Sequence, residues 1–462
     1  MKLFKLIEKA FKSLLPAPFS IALLLTLVTL VLALLLTTSE LTGFDRVLEM
    51  VGFWEEGLWN PPLLVFAVQM MLMLVLGHAL ALTKPVDSVI SYATRFCTTT
   101  AKAAAIVTFL TVCVALFNWG LGLIFGAILT RKVGEHAARN NLSLNYPLIG
   151  AAGYSGLMVW HGGISGSAPI KVAEEGHISS LMEGVISPEQ VERLPDPVLF
   201  SETVFGSMNM TVMLLIILIL PAFMYLLGKR SKKTSTLPKV SVEIEENDEE
   251  VSGAERLDKS RYFGSFFGFA IIAYTIYTAT KGYESNGLGF INPNFINLFL
   301  LGLCLSFHRN VLQFLKAIDQ AIGGSSGILI QFPLYFGIMG IMNSSGLVQV
   351  FSDFFVSVSN QTTFPVWTFF SAGIVNIFVP SGGGQWGVQG PIILQAASEL
   401  GVSVPKAIMS LAYGDQLTNM LQPFWALPLL GITGLKAKEI LPYTVALMGV
   451  GIVLFVSVLL IF

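Results

Sequence analysis

Residues 364–397 form one long apolar stretch interrupted near its middle by PSGGGQWGVQGP at 380–391. A proline and three consecutive glycines are poor continuations of an α-helix. A broken backbone facing lipid would leave its amides without partners. The stretch must therefore be shielded by protein or line a polar cavity. Residues 103–130 pose the same problem. As a straight helix they would run ~42 Å at about 1.5 Å per residue, and Asn118-Trp119-Gly120-Leu121-Gly122 falls near the centre. Both stretches are read as re-entrant helical hairpins.

The remaining apolar segments have the length of single bilayer crossings, about 20 residues. The first, 16–37, follows Lys2, Lys5, Lys9 and Lys12. Its apolar run is too long for the core of a signal peptide and lacks a small-residue cleavage site, so it reads as a retained span. Others lie at 61–82, 146–170, 205–226, 262–280, 290–306, 325–345, 407–431 and 441–462, about nine full crossings in all. Composition agrees. Hydrophobic residues make up 54% and charged residues 12%, against about 25% charged in soluble domains. Membrane lipid is thus an expected partner. A net charge of −2 excludes nucleic acid, which needs a concentrated basic face. Cys97, Cys113 and Cys304 have neither disulfide-framework nor metal-site spacing.

Lysine and arginine orient the chain. With the N-terminus inside, nine crossings and both hairpins returning to their own side, 22 of the 27 Lys and Arg residues fall inside. Only Arg46, Lys171, Arg193, Lys281 and Lys406 fall outside. This is the positive-inside distribution, and it places the C-terminus outside. The polar segment 229–261 runs from basic to acidic with few aromatics and reads as a flexible cytoplasmic linker. It separates a first membrane repeat, 1–228, from a second, 262–462. Each holds a span, a hairpin, a broken span and a closing span in the same order. Tyr154 to Pro169 and Tyr413 to Pro428 share one spacing, and Asn118 aligns loosely with Asn376. The charge-derived topology gives the paired segments opposite senses. Inverted repeats with discontinuous helices are the construction of secondary transporters, with substrate held between them at the midplane.

Ionisable residues inside spans mark functional positions. Asp415 stands among Gln416, Thr418, Asn419 and Gln422, and reads as a carboxylate for a coupling proton or cation, with Asn376, Gln416 and Asn419 as neutral ligands. In the other broken span His161 precedes Gly162, Gly163 and Ser165. That group could offer amides, hydroxyls and a titratable ring to a carboxylate anion. The hairpin tips complete the set: Ser381, Gly382, Gly383, Gly384 and Gln385 on one, Asn118, Trp119 and Gly120 on the other. Gly323-Gly324-Ser325-Ser326-Gly327 matches G-x-S-x-G formally, but it opens a span and no strand-to-helix elbow is present. With no Walker A loop or H-E-x-x-H either, no enzyme is expected, and transport would draw on a gradient.

Several motifs resemble the bacterial short-chain fatty acid transporter family. They are QMMLMLVLGHALA (69–81), NWGLGLIFGA (118–127), QFPLYFGIM (331–339), FPVWTFFSAGIVNIFVPSGGGQW (364–386) and AYGDQLTNMLQPFWALP (412–428). The resemblance implies an inner-membrane permease for acetoacetate or butyrate, with no cofactor beyond a coupling proton or sodium ion. At a further remove it implies an elevator-type mechanism and a homodimer. The competing reading is an ion-coupled symporter of dicarboxylates or other organic anions. The absence of a midplane Lys or Arg favours the monocarboxylate.

Overall fold

In the computed structural model the chain is all-helical over the residues described, 17–182, 186–231, 253, 256–286, 290 and 292–462. The first half contains α1 (Pro18–Leu36), α2 (Gly43–Leu58), α3 (Pro61–Ala81), α4 (Lys84–Thr94), α5 (Thr100–Phe117) and α6 (Trp119–Arg139). Next come α7 (Tyr146–Tyr154), two 3-10 turns (Ser155–Met158 and Trp160–Gly162), α8 (Ser167–Val172) and α9 (Ser207–Arg230). The second half contains α10 (Arg261–Asn286), α11 (Pro293–Phe307), α12 (Val311–Ile322), α13 (Ser326–Ser344) and α14 (Leu347–Ser357). It ends with α15 (Phe364–Phe378), α16 (Gly382–Leu400), α17 (Val404–Thr418), α18 (Leu427–Thr433) and α19 (Ala437–Ile461). Most of the expected linker, and the N-terminal lysines, lie outside the described residues. Among the described residues, seven rods are long and apolar enough to cross a membrane: α1, α3, α5, α9, α10, α12 with α13, and α19. The protein is a multi-pass membrane protein.

α5 has the length of a crossing but turns back. Asn118 is extended (φ −149°, ψ 125°), and its side chain accepts the Leu121 N–H at 2.9 Å, capping α6. A Cβ on Gly122 would stand 2.6 Å from Cα of Ala115, and one on Gly126 would stand 2.8 Å from Cγ2 of Thr111. These pairs step outward from the tip, as in an antiparallel hairpin. In the second hairpin Gln385 Nε2 donates to Ala372 O at 2.8 Å, and Gln389 Nε2 to Ser371 Oγ at 3.2 Å. The interruptions are shorter than the sequence suggests. Helix resumes at Trp119 in one hairpin and at Gly382 in the other. The three glycines form the first turn of α16, whose amides need no intrahelical partner, and Ser381 Oγ caps it by accepting from Gly384 N at 3.2 Å. Pro391 lies within that helix.

The two halves exchange arms. α2 packs on α13 through glycines on both sides: a Cβ on Gly57 would come within 2.3 Å of Phe336 O, and one on Gly340 within 2.2 Å of Phe53 O. Such small residues are what lets membrane helices approach closely. Reciprocally, α11 packs on α3. Asn297 Nδ2 donates to Gln69 O at 2.9 Å and Cys304 Sγ to Leu76 O at 3.2 Å.

The two broken segments, α7–α8 and α17–α18, lie side by side. Tyr146 Oη donates to Thr433 O (3.0 Å), Tyr154 Oη to Asn419 O (3.0 Å), and His161 N to Gln416 Oε1 (2.9 Å). Numbers rise along one as they fall along the other, so equivalent segments run antiparallel. That is the arrangement of inverted repeats.

Candidate functional site

The hairpin tips and the two breaks enclose a cavity of about 230 Å³. Its wall is mostly apolar: Leu63 and Phe66 from α3, Trp119, Leu157, Trp160, Phe336 and Met339 from α13, Phe424 and Trp425. Trp119 meets Trp425 edge to face, with ring centroids 5.2 Å apart, and Phe66 meets Trp425 at 6.0 Å. One side is polar, formed by Ser167, Ser381, Gly382 and Gly383. Gly382 and Gly383 begin a 19-residue helix, whose amino end carries about half a positive charge. Among the described residues, no Lys, Arg, Asp or Glu lines the cavity.

Behind the polar side is a buried hydrogen-bonded block. His161 is fully buried and Asp415 nearly so. Nδ1 of His161 meets Oδ2 of Asp415, while Nε2 accepts the backbone N–H of Ala168 at 3.0 Å. An acceptor at Nε2 places the ring proton on Nδ1, which donates to the carboxylate. Trp160 stacks on the imidazole at 4.4 Å and 19°. Gln416 Oε1 accepts from His161 N (2.9 Å) and Gly162 N (3.0 Å). Asn209 Nδ2 donates to Gly162 O (2.9 Å), and Tyr413 Oη donates to Asn209 Oδ1 (2.9 Å). Asn376 Nδ2 donates to Asp415 O (2.7 Å) and Asn419 Oδ1 (2.9 Å), and Gln422 Nε2 donates to Asn376 O.

Of the residues singled out in the sequence, Trp119, Ser381, Gly382 and Gly383 line the cavity. Asn376, Asp415, Gln416 and Asn419 come together in the block, but Gln416 Oε1 and Asn419 Oδ1 already accept hydrogen bonds. The others hold the tips in place. Asn118 caps α6, and Gly120 packs against Met73 of α3. A Cβ on Gly163 would come within 2.5 Å of Leu116 O, and Ser165 Oγ accepts the Trp119 N–H at 2.9 Å. Gly384 gives its N–H to Ser381, and Gln385 is buried inside its hairpin. The positional counterpart of Asn118 is Ser381 rather than Asn376, since each caps the returning arm. Gly323–Ser325 is the 3-10 turn joining α12 to α13, and the Ser325 hydroxyl donates to Ile322 O at 2.7 Å.

The sequence alone does not single out Phe66, Leu157, Trp160, Phe336, Met339, Phe424 and Trp425 as lining residues, whereas the hydroxyl of Ser167, offered by the broken span, does reach the cavity. Phe424-Trp425 had a usable signal, because two adjacent aromatics after Gln422-Pro423 sit where a helix is interrupted.

The chain matches the short chain fatty acid transporter family over residues 2–462. A protein of Escherichia coli K12, provisionally named a short-chain fatty acid transporter, is 37% identical over 446 residues, covering 95% of this chain and 94% of that one. Its namesake from Haemophilus influenzae is 34% identical over 441 residues, covering 93% and 92%. Among solved structures, the YdaH transporter of Alcanivorax borkumensis aligns over 96% of this chain and 98% of its own, at 13% identity and a TM-score of 0.43. MtrF of Neisseria gonorrhoeae aligns over 98% and 97%, at 12% identity and a TM-score of 0.37. The family match spans nearly the whole chain and two relatives exceed 30% identity across it, and the chain therefore belongs to the short-chain fatty acid transporter family.

Proposed function

We propose that the protein takes up short-chain fatty acids such as acetoacetate and butyrate across the bacterial cytoplasmic membrane, as a secondary transporter coupled to a proton or sodium gradient. In this reading the N-terminus is inside and the C-terminus outside. The observation that carries it is the two-sided cavity, an aromatic wall facing an uncharged polar edge at the start of a helix. A short acid has matching parts. Its carboxylate would take the amides of Gly382 and Gly383 and the hydroxyls of Ser167 and Ser381, and its tail would lie on Phe66, Trp119 and Trp425. A helix amino end balances one negative charge partially. A second carboxylate would face the aromatic wall without compensation, which favours monoanions over dianions. The tips and breaks are hydrogen-bonded into one block, which suits the elevator-type movement of a unit carrying its site.

Uptake of labelled butyrate or acetoacetate into proteoliposomes tests this, at a pH well above the acid's pKa so that little neutral acid crosses the bilayer unaided. Proton and sodium gradients are imposed separately. Protein-dependent, gradient-driven uptake that excess succinate does not compete away is the expected result. Uptake equal to that of empty liposomes, from folded protein, would reject the reading.

A further inference from the structure

Four buried oxygens beside the second hairpin tip have no hydrogen-bond partner among the described residues: Oδ1 of Asp415, Oδ1 of Asn376, Oε1 of Gln385 and Oε1 of Gln422. The four residues are 1%, 0%, 0% and 3% exposed. Buried polar atoms in native proteins nearly always have partners, and an exception calls for an ion, a water or a functional reason. Four in one neighbourhood call for a common one.

The bonds these side chains do make tie them to one place. Asn376 Nδ2 donates to Asp415 O at 2.7 Å, and Gln422 Nε2 donates to Asn376 O. Gln385 Nε2 donates to Ala372 O at 2.8 Å, one turn before Asn376 on α15. A Cβ on Gly382, at the start of α16, would stand 3.2 Å from Oδ2 of Asp415. The NH2 groups of Asn376, Gln385 and Gln422 are thus committed to carbonyls, and what these four residues leave over is three neutral oxygens and one carboxylate oxygen; Nε2 of the neighbouring Gln416 also has no partner among the described residues. α15 and α17 both end here, at Phe378 and Thr418, and helix carboxyl ends are electronegative. Among the described residues the ion-pair partner facing Asp415 is the imidazole of His161, whose Nε2 accepts the Ala168 N–H so that the ring proton sits on Nδ1. The site is rich in oxygen acceptors and carries one net negative charge. Oxygen donors without nitrogen or sulfur select a hard cation, and a single carboxylate balances a monovalent one.

We propose that these four oxygens bind a sodium ion, and that the ion enables a carboxylate to bind at the adjoining amino end of α16. The second part rests on the carboxylate reading of the cavity; the first does not. Without the cation, a carboxylate at Gly382 and Gly383 would face the charge of Asp415 in a low-dielectric site, where like charges repel strongly. With it, the local charge is balanced. The coupling is reciprocal, so sodium raises carboxylate affinity by the same factor that the carboxylate raises sodium affinity.

The test uses the purified full chain in detergent at fixed pH and ionic strength. Sodium chloride replaces choline chloride while intrinsic tryptophan fluorescence is followed, Trp160 being stacked on His161. A saturable change with sodium and none with potassium is expected, together with its loss in Asp415→Asn and a midpoint at least tenfold higher in Gln422→Leu. Gln422→Leu keeps the charge, so it carries the test if Asp415→Asn does not fold. Butyrate should bind at least tenfold tighter in sodium than in choline. Identical responses to sodium, potassium and choline, or an unchanged sodium response in folded Asp415→Asn, would overturn the ion site. A sodium signal indifferent to butyrate supports the ion site and counts against the carboxylate reading. Proton-driven butyrate uptake that ignores sodium supports the carboxylate reading and overturns the sodium one.

Discussion

Gly382 stands directly against Trp160: a Cβ there would lie 2.5 Å from Cη2 of the indole and 2.9 Å from Cε1 of His161. At Gly383, one residue on, the nearest atom to such a Cβ is 4.0 Å away, on Ser167. Adjacent glycines therefore serve different ends, one close packing and the other open cavity.

Gly382→Ala should displace Trp160 and the imidazole beneath it, lowering both melting temperature and uptake. Gly383→Ala should leave the melting temperature unchanged. Gly383→Val should also fold, yet lose uptake because its side chain occupies the cavity. Thermal unfolding in detergent and liposome uptake of the three variants separate these outcomes. Equal behaviour at the two positions would mean that the cavity is not the path of the substrate.

His161 and Asp415 should behave as one unit. Removing either leaves the other's buried polar atom without its partner, at a cost of about 1–3 kcal/mol. His161→Ala and Asp415→Ala should each destabilise the protein, and the double variant should lose less than the two single losses combined. A double-mutant cycle in urea or heat measures this directly. Strict additivity would show that the contact contributes nothing.

The first hairpin depends on close backbone approach at Gly126, where a Cβ would sit 2.0 Å from Gly153 O. Gly126→Ala must push the hairpin away from α7, and we expect little folded protein to be recovered. Gly387 on α16 has nothing within 4 Å of an added Cβ. Gly387→Ala should be stabilising by roughly 0.5–1 kcal/mol, the ordinary gain of alanine over glycine inside a helix. Yields by size-exclusion chromatography and melting temperatures check both.

Trp119 bounds the apolar end of the cavity with Phe66 and Trp425. Replacing it by leucine lengthens the space available to a substrate tail, and each further buried CH2 is worth about 0.8 kcal/mol. Trp119→Leu should therefore shift competition from butyrate towards hexanoate by up to roughly fifteenfold for the two extra groups. Inhibition of labelled butyrate uptake by acids of increasing length reads this out. An unchanged order of potency would place the tail elsewhere.

Much of this architecture is visible in the chain, because interruptions inside apolar runs are conspicuous. Asn118, the glycines after Ser381, and the polar residues around Asp415 mark the hairpins and breaks. The lysines and arginines gave opposite senses to the two halves, and the structure shows equivalent segments running antiparallel. α2 was hidden. Asp45, Arg46, Glu49, Glu55 and Glu56 make it look like an outer connection, and what makes it a packed helix is α13, nearly three hundred residues away. The extents of the breaks were hidden too, since a cap of one side chain lets the helix restart at once and tolerate glycine in its first turn. Gln385 follows the cavity glycines in sequence, but helix geometry carries it round into the hairpin, where it bonds to Ala372. Sequence adjacency does not report which face a residue takes.

The exchanged arms bear on how such a chain comes to exist. α2 is made with the first half and seated on α13, while α11 is made with the second and seated on α3. Each half supplies the plug and the socket for the other, as subunits of an obligate dimer do. Either half synthesised alone would be left with an unfilled seat and a loose arm. Two halves severed between residues 231 and 256 would still be clasped to one another, because the contact that joins them does not run through the covalent connection.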